Sequence, residues 1–332
     1  MTTASSSVQV SLPGTDLTVS RLCLGGNRFG SALDDDESFA LLDAFAELGG
    51  NFIDTAHVYA DWIRDAERSC SEKTLGRWMA SRGCRSAFVV ATKGGHHDLS
   101  ESSVPRLGRA ALRADAYASV ENLGGEPIDV YYLHRDDPAR PIGDILTTLE
   151  ELVDEGAIRH YAASNLSADR LMSAIRHAEE SGIRGFVANQ LEWSLAVPRP
   201  ESVAPDLTCM DAQFFEIHRS GGMPAVPYSA QAKGYFDKMG SGAELPETVR
   251  RYDTPRNARA AEELNEVAGR YHVTATCLAL RGLLEADFPT VPVVGCRTVS
   301  QLTESWAALD LSLEADDAAR LSALALPTVT TF

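Results

Sequence analysis

IDVYYLHRDDPARPIGDILTTLEELVDEGAIRHYAAS, residues 128–164, decides the fold class. Ile128–Leu133 is a short apolar run of the kind a buried strand needs. Ile142–Glu155 follows with apolar residues at helical spacing, and Ile158–Ala163 is a second strand-like run. Strand, helix, strand, with both strands mainly apolar, predicts a parallel pair covered by its crossover helix.

The same rhythm extends in both directions. Further strand-like runs lie at Arg21–Leu24, Asn51–Asp54, Ala87–Thr92, Gly185–Asn189, Met223–Tyr228 and Val291–Val294, which makes eight. Helix-like stretches lie at Asp36–Leu48, Ser71–Ser81, Ser102–Leu123, Ala168–Ser181, Asn257–Tyr271, Ser300–Leu309 and Glu314–Leu324. Gly49-Gly50 stops the first of these, and Ser167 offers a cap to the stretch Ala168–Ser181. Eight units suit an α/β (β/α)8 TIM barrel. An open doubly wound sheet would want G-x-G-x-x-G after its first strand, and Gly25-Gly26-Asn27-Arg28-Phe29-Gly30 lacks that spacing. Ahead of the barrel, Val8–Leu12 and Leu17–Val19 flank the turn Pro13-Gly14-Thr15-Asp16 as a β-hairpin. No composition break divides the chain, so residues 1–332 read as one domain. The long irregular stretches Gly94–Pro105, Pro198–Asp206 and Ala230–Pro255 fall after strands three, six and seven, where binding loops sit.

Composition narrows the function. The 332 residues are 44% apolar and 23% charged, ordinary for a globular chain. Thirty Lys and Arg against 47 Asp and Glu give a net charge of −17, which argues against general nucleic-acid binding. No apolar run reaches the ~20 residues of a membrane span. Met1–Ser7 has no signal-peptide character, so a cytoplasmic protein with no membrane partner is expected. The six cysteines, at 23, 70, 84, 209, 277 and 296, have no Cys-x-x-Cys spacing and read as reduced, mostly buried thiols.

Barrel enzymes place their chemistry at the C-terminal ends of the strands. Asp54, Lys93, His134, Ser164-Asn165, Gln190 and Tyr228-Ser229 close successive strands, and Tyr59 follows the second. Tyr59, Lys93, Asp54 and His134 form a proton-transfer set. A free phenol titrates near ~10 and is a poor acid at neutral pH. A neighbouring Lys⁺ is expected to lower that value, a carboxylate to keep the lysine charged, and a histidine to orient a carbonyl oxygen. No side chain delivers hydride, so reducing a carbonyl requires a nicotinamide or flavin.

Seven segments then resemble, in order, the signatures of the aldo-keto reductase superfamily: NFIDTAHVYADW, VVATKGG, IDVYYLHRDDP, EGAIRHYAASNL, VANQLEWSL, VPYSAQAKG and VPVVGCRTVSQLTESWAAL. The resemblance runs from about Leu12 to Leu324. It implies an NADPH-dependent carbonyl reductase, with NAD(H) as the second choice. Tyr59 would be the general acid and base, tuned by Lys93 and Asp54, with His134 positioning the carbonyl. Ser164, Asn165 and Gln190 would hold the carboxamide side of the nicotinamide, and Tyr228 would stack on its ring. Gly26 and Asn27 after the first strand would border the cofactor. Ser229, Gln231 and Lys233 would follow the pyrophosphate. Gly295, Arg297, Gln301 and Ser305 would take the adenosine end, with Arg297 reading the 2′-phosphate. The sequence departs from the family pattern with Ala60 and Ala162, where glycine is usual, and with Ala-Gln-Ala-Lys after Ser229.

Trp62, His96 and Trp193 are candidate walls of the substrate pocket, suited to a sugar-like or a small aromatic carbonyl compound. Gly95-His96-His97-Asp98 reads as a solvated loop beside the substrate, and no metal site is expected. His57 reads as a packing or rim residue. A second reading keeps the cofactor cradle but makes the chain a regulatory subunit with little turnover. A third, a barrel isomerase or lyase using Lys93 and the acids without nicotinamide, would leave the Ser164-Asn165, Gln190 and Tyr228-Ser229 set without a purpose. Oligomeric state is not legible.

Overall fold

Alternation along each strand builds the barrel from the inside. The structure, a computed structural model, describes residues 8–101 and 104–327. A hairpin of β1 (Gln9–Ser11) and β2 (Thr18–Ser20) precedes the barrel. Then come β3 (Cys23–Gly25), α1 (Asp35–Glu47), β4 (Phe52–Asp54), α2 (Cys70–Arg82), β5 (Val89–Gly94), α3 (Arg109–Asn122), β6 (Ile128–Leu133), α4 (Ile142–Asp154), β7 (Ile158–Ser164), α5 (Ala168–Ser181) and β8 (Asn189–Gln190). The rest is α6 (Ala212–Gly221), α7 (Tyr235–Ser241), α8 (Glu247–Arg250), α9 (Pro255–Tyr271), α10 (Ala275–Leu284), β9 (Val293–Val294), α11 (Val299–Trp306) and α12 (Ala315–Ala325).

The sheet is parallel, in the order β8-β7-β6-β5-β4-β3-β9. Residues 223–228 close the ring between β8 and β9. The Asn189 amide donates to Pro224 and the Val226 amide to Asn189. On the other side, Ala225 donates to Pro289 and Val293 to Pro227. The expected strand Met223–Tyr228 thus survives only as isolated bridges. Pro224 and Pro227 have no N–H to give, so a continuous ladder cannot form there. The result is the expected (β/α)8 barrel.

Cys23, Phe52, Val89, Ala91, Val130, Tyr132, Ala162 and Ala188 point inward and pack with Val226 and Val291. The hairpin's Leu12, Leu17 and Val19 join that cluster and plug the N-terminal end. Leu24, Ile53, Val90, Tyr131 and Ala163 point outward, into the layer shared with the helices. Asp54, Lys93, His134, Ser164 and Gln190 each follow an inward residue by two, so the pleat aims them all at the barrel axis.

Several local readings change. The third helix begins at Arg109, because Pro105 and the extended Gly108 break the pattern ahead of it; Ser102 itself lies outside the described residues. Residues 85–87 form a 3-10 turn, so the strand there starts at Val89. The strand read at Gly185–Asn189 is confined to Asn189–Gln190, although the Val187 amide already donates to Tyr161. The irregular stretch Ala230–Pro255 contains α7 and α8. Helices α6 and α10 were not expected. Residues 1–7 and 328–332 lie outside the described residues.

Candidate active site

Lys93 is the hub of the site. It sits at the tip of β5, 1% exposed, and its ammonium group spends all three protons. They go to Asp54 Oδ2 at 2.6 Å, the Thr55 carbonyl at 2.8 Å and the Tyr59 hydroxyl oxygen at 2.9 Å. Asp54, 2% exposed, receives a second donor on Oδ1 from Gln190 Nε2, at 2.9 Å. The carboxylate is therefore gripped from both sides. Burial works to lower the Lys93 pKa, but Asp54 and Tyr59 overcome it, and the net shift is upward.

Tyr59 reaches this cluster from the loop after β4. That loop is pinned by the Thr55 amide on Ala91 and the His57 amide on Lys93. Ala60, next to Tyr59, takes a left-handed φ of 70° at the position where glycine was anticipated. The expected downward shift of Tyr59 does not emerge. Burial pushes its hydroxyl up and outweighs the pull of Lys93, so the group holds its proton at neutral pH.

His134 ends the inward series of β6. Its ring lies edge-on to Tyr59, with centroids 5.8 Å apart. Burial, reinforced by Arg135 and Lys93, depresses its pKa well below the ordinary histidine value, so the ring is neutral. Its Nδ1 is buried without a partner. Its carbonyl accepts from Asn165 Nδ2 and Arg135 Nη1.

Asn165 has φ 59°, and the Thr208 amide and the Tyr228 hydroxyl both donate to its Oδ1. Ser164 Oγ accepts from its Nδ2. The Gly26 amide donates to the Asp54 carbonyl at 2.7 Å, which brings the loop of Gly26 and exposed Asn27 beside the cluster. Gln231 bridges the Gly295 amide and Ser305 Oγ. Gln301 Oε1 accepts from the Arg297 amide, and Ser305 donates to the Gln301 carbonyl. Gly295 and Ser305 thus meet Gln231, and Gln301 ties Arg297 to Ser305 along α11. Ser229 and Lys233 are both left-handed, as is Ala232. Local backbone strain gathers along this rim, as it does at ligand clamps.

Arg28 was not singled out from the sequence, although it stands next to Asn27. Its pKa is lowered by burial and then by Arg297. Lys233 is lowered by burial and then by Arg251, with Arg28 adding to it. In a chain of net charge −17, Arg28, Lys233 and Arg297 make no ion pair among the described residues, and Arg28 feels both of the others. Sequence reading also missed Glu72. It is fully buried on α2, accepts from Thr92 Oγ1 at 2.5 Å and Asn122 Nδ2 at 2.9 Å, and lies 3.5 Å from His57 Nδ1. Burial opposes protonation of His57, but Glu72 prevails and its pKa rises.

Of the expected pocket walls, Trp62 stands at the mouth, 56% exposed and edge-on to Tyr59. His96 packs edge-on to His134, with centroids 4.9 Å apart. Trp193 is elsewhere. It is 4% exposed, stacks on Phe288 and donates Nε1 to the Ala325 carbonyl, so its ring is used up in packing against α12. A cavity of about 30 Å³ beside Lys93 is lined by His57, His96, His97 and Asp115. A larger groove of about 840 Å³, between Asp16, Gly76, Arg85 and Arg159, lies at the opposite end of the barrel and holds none of these groups.

A buried lysine fixing a protonated tyrosine beside a neutral histidine is a device for passing a proton to an oxygen. Compared with known families, the chain matches the Aldo/keto reductase family over residues 21–325, and it belongs to that family. It is 30% identical to an aryl-alcohol dehydrogenase of Pestalotiopsis microspora, over 92% of this chain and 78% of that one. It is 29% identical to a norsolorinic acid reductase of Emericella nidulans, with the same coverage. An aryl-alcohol dehydrogenase (NADP+) of Phanerodontia chrysosporium is 30% identical, over 91% and 81%. The protein is thus an oxidoreductase of a family that acts on small carbonyl compounds with a nicotinamide cofactor. No helix among the described residues is long and apolar enough to cross a membrane.

Proposed function

We propose that this protein reduces aromatic aldehydes or ketones to alcohols with NADPH, reversibly, and that Tyr59 exchanges the proton. One observation carries the reading. Lys93 can only donate, so its bond to the Tyr59 oxygen leaves the phenol's own proton free for a substrate oxygen. The upward shift of Tyr59 keeps that proton in place until the oxygen gains charge. Neutral His134 adds a second donor when Nε2 carries its proton and buried Nδ1 stays bare. Asp54 and Gln190 hold Lys93 on aim.

The residues fit a nicotinamide dinucleotide phosphate. Arg28 repels both Lys233 and Arg297, and none of the three makes an ion pair among the described residues, a site that favours phosphate. Asn165, locked by Tyr228 and Thr208, would face the carboxamide, and Gly295 has room for close approach. When bound, the reduced cofactor supplies the hydride that no side chain can. The relatives named for aryl alcohols, together with Trp62 at the mouth, support an aromatic substrate.

The test is Tyr59→Phe, assayed with benzaldehyde and NADPH. Turnover should fall about 10²–10⁴-fold, while quenching of tryptophan fluorescence by NADPH stays unchanged. Full turnover in the variant would refute the role of Tyr59.

A further inference from the structure

His96 and His134 stand edge-on in one crevice, yet their ring nitrogens face different constraints. The His96 Nδ1 lies 2.9 Å from the carbonyl oxygen of His97. A carbonyl oxygen can only accept, so Nδ1 must carry a proton. Burial, aided by Arg135 and His97, holds the ring neutral, with its pKa lowered to about 4. A neutral imidazole has one proton, so Nε2 is a bare acceptor. It meets no protein donor among the described residues. The His97 and His134 rings pack against the His96 ring, and the bonds that Arg135 makes go to Asp206 and the His134 carbonyl.

The Tyr59, His134 and His96 rings pack in series, so two donors, the Tyr59 hydroxyl and His134 Nε2, stand near one acceptor. A lone carbonyl would leave that acceptor unmatched, whereas a hydroxycarbonyl compound uses all three. We propose that His96 is a specificity-determining residue that accepts, at Nε2, a hydrogen bond from a hydroxyl the substrate carries near its carbonyl. The substrate class is then a hydroxylated aromatic aldehyde or ketone. This inference rests on the reductase reading above.

Two measurements test it on the whole protein. Long-range ¹⁵N NMR should report His96 with Nδ1 protonated and Nε2 bare. A protonated Nε2 would overturn the proposal and leave the reductase reading standing. With NADPH present, kcat/KM is compared for the three hydroxybenzaldehydes and the three methylbenzaldehydes of equal shape. The best hydroxy isomer should exceed its methyl counterpart about tenfold, the scale of one hydrogen bond. His96→Leu should erase that preference, and His96→Gln, whose amide oxygen still accepts, should keep part of it. A preference that survives His96→Leu, or no preference in the unaltered protein, would overturn the proposal. Failure to reduce any of the six, with the expected tautomer present, would overturn the reductase reading and the proposal with it.

Discussion

Asp54→Asn removes one charge from the centre of the site and changes little else in shape. Asp54 meets two donors, Lys93 Nζ at 2.6 Å on one oxygen and Gln190 Nε2 at 2.9 Å on the other. Asparagine has a single acceptor oxygen, so one donor must face its NH2 group. Lys93, 1% exposed, also loses its only carboxylate partner among the described residues. Breaking a buried pair by removing one member costs about 3–5 kcal/mol, and that is the expected loss in urea unfolding at pH 7, with an unchanged dependence on urea. The pH dependence follows from the upward shift of Lys93. A group raised in the fold contributes stability below its unfolded value and loses it as pH climbs through its folded value. The gap between the two proteins should therefore be full at neutral pH and narrow only above ~10.4, the ordinary lysine value. A loss under about 1 kcal/mol, the scale of an exposed pair, would refute the account of Lys93 as a desolvated ammonium held by Asp54.

His57, raised by Glu72, gives a second pH signature: His57→Gln should destabilise the protein at pH 5, below the ordinary histidine value, and progressively less as pH rises through the elevated folded value. An equal loss at pH 5 and pH 9 would rule out the ion pair. Gly94→Ala places a methyl against the Tyr131 hydroxyl, which is buried without a partner, and should cost about 1–3 kcal/mol by chemical denaturation. Adding Tyr131→Phe should return part of that loss, because the ring Cζ at 2.8 Å and Asp115 Cβ at 3.0 Å still crowd the methyl, and no recovery would mean the hydroxyl is not the main obstacle. Arg297→Ala should weaken NADPH binding by about tenfold or more while sparing NADH, as expected for loss of a charged hydrogen bond; fluorescence titrations showing equal losses would place the 2′-phosphate reader at another residue.

The barrel was readable because short, mainly apolar strand runs alternate with helical stretches, the mark of a parallel sheet covered by helices. Phe52 before Asp54, Ala91 before Lys93 and Tyr132 before His134 mark which polar residues would face the axis. Other elements left no such mark. Helix α10 is buried on most sides, packed by α7, α9, α11 and α12, so Cys277, Leu278, Leu280 and Leu283 show no amphipathic stripe. Helix α6 is short, and its signal is the cap that Asp211 gives to the Phe214 amide. The ring-closing segment reads as a strand through Met223, Ala225, Val226 and Tyr228, but Pro224 and Pro227 have no N–H for a ladder. Trp193 sits beside the motif residue Gln190, but nothing local announces that Phe288 and Ala325 will claim its ring. The shift of Tyr59 was misjudged in sign because charge is visible in a sequence and depth of burial is not.

The closure of the ring sets an order on synthesis. Cys23 pairs with Val293, and the hairpin's Leu12, Leu17 and Val19 pack against Val226 and Val291. The first barrel strand, β3, therefore waits for the last, β9, to cover its outer edge. A ribosome adds residues at about 5–20 per second, so the apolar inner face of β3 and its unpaired edge stay open through most of translation. Contacts so distant along the chain also slow the final step. The nascent protein spends that interval as an unclosed sheet, the form most exposed to aggregation and in greatest need of a chaperone.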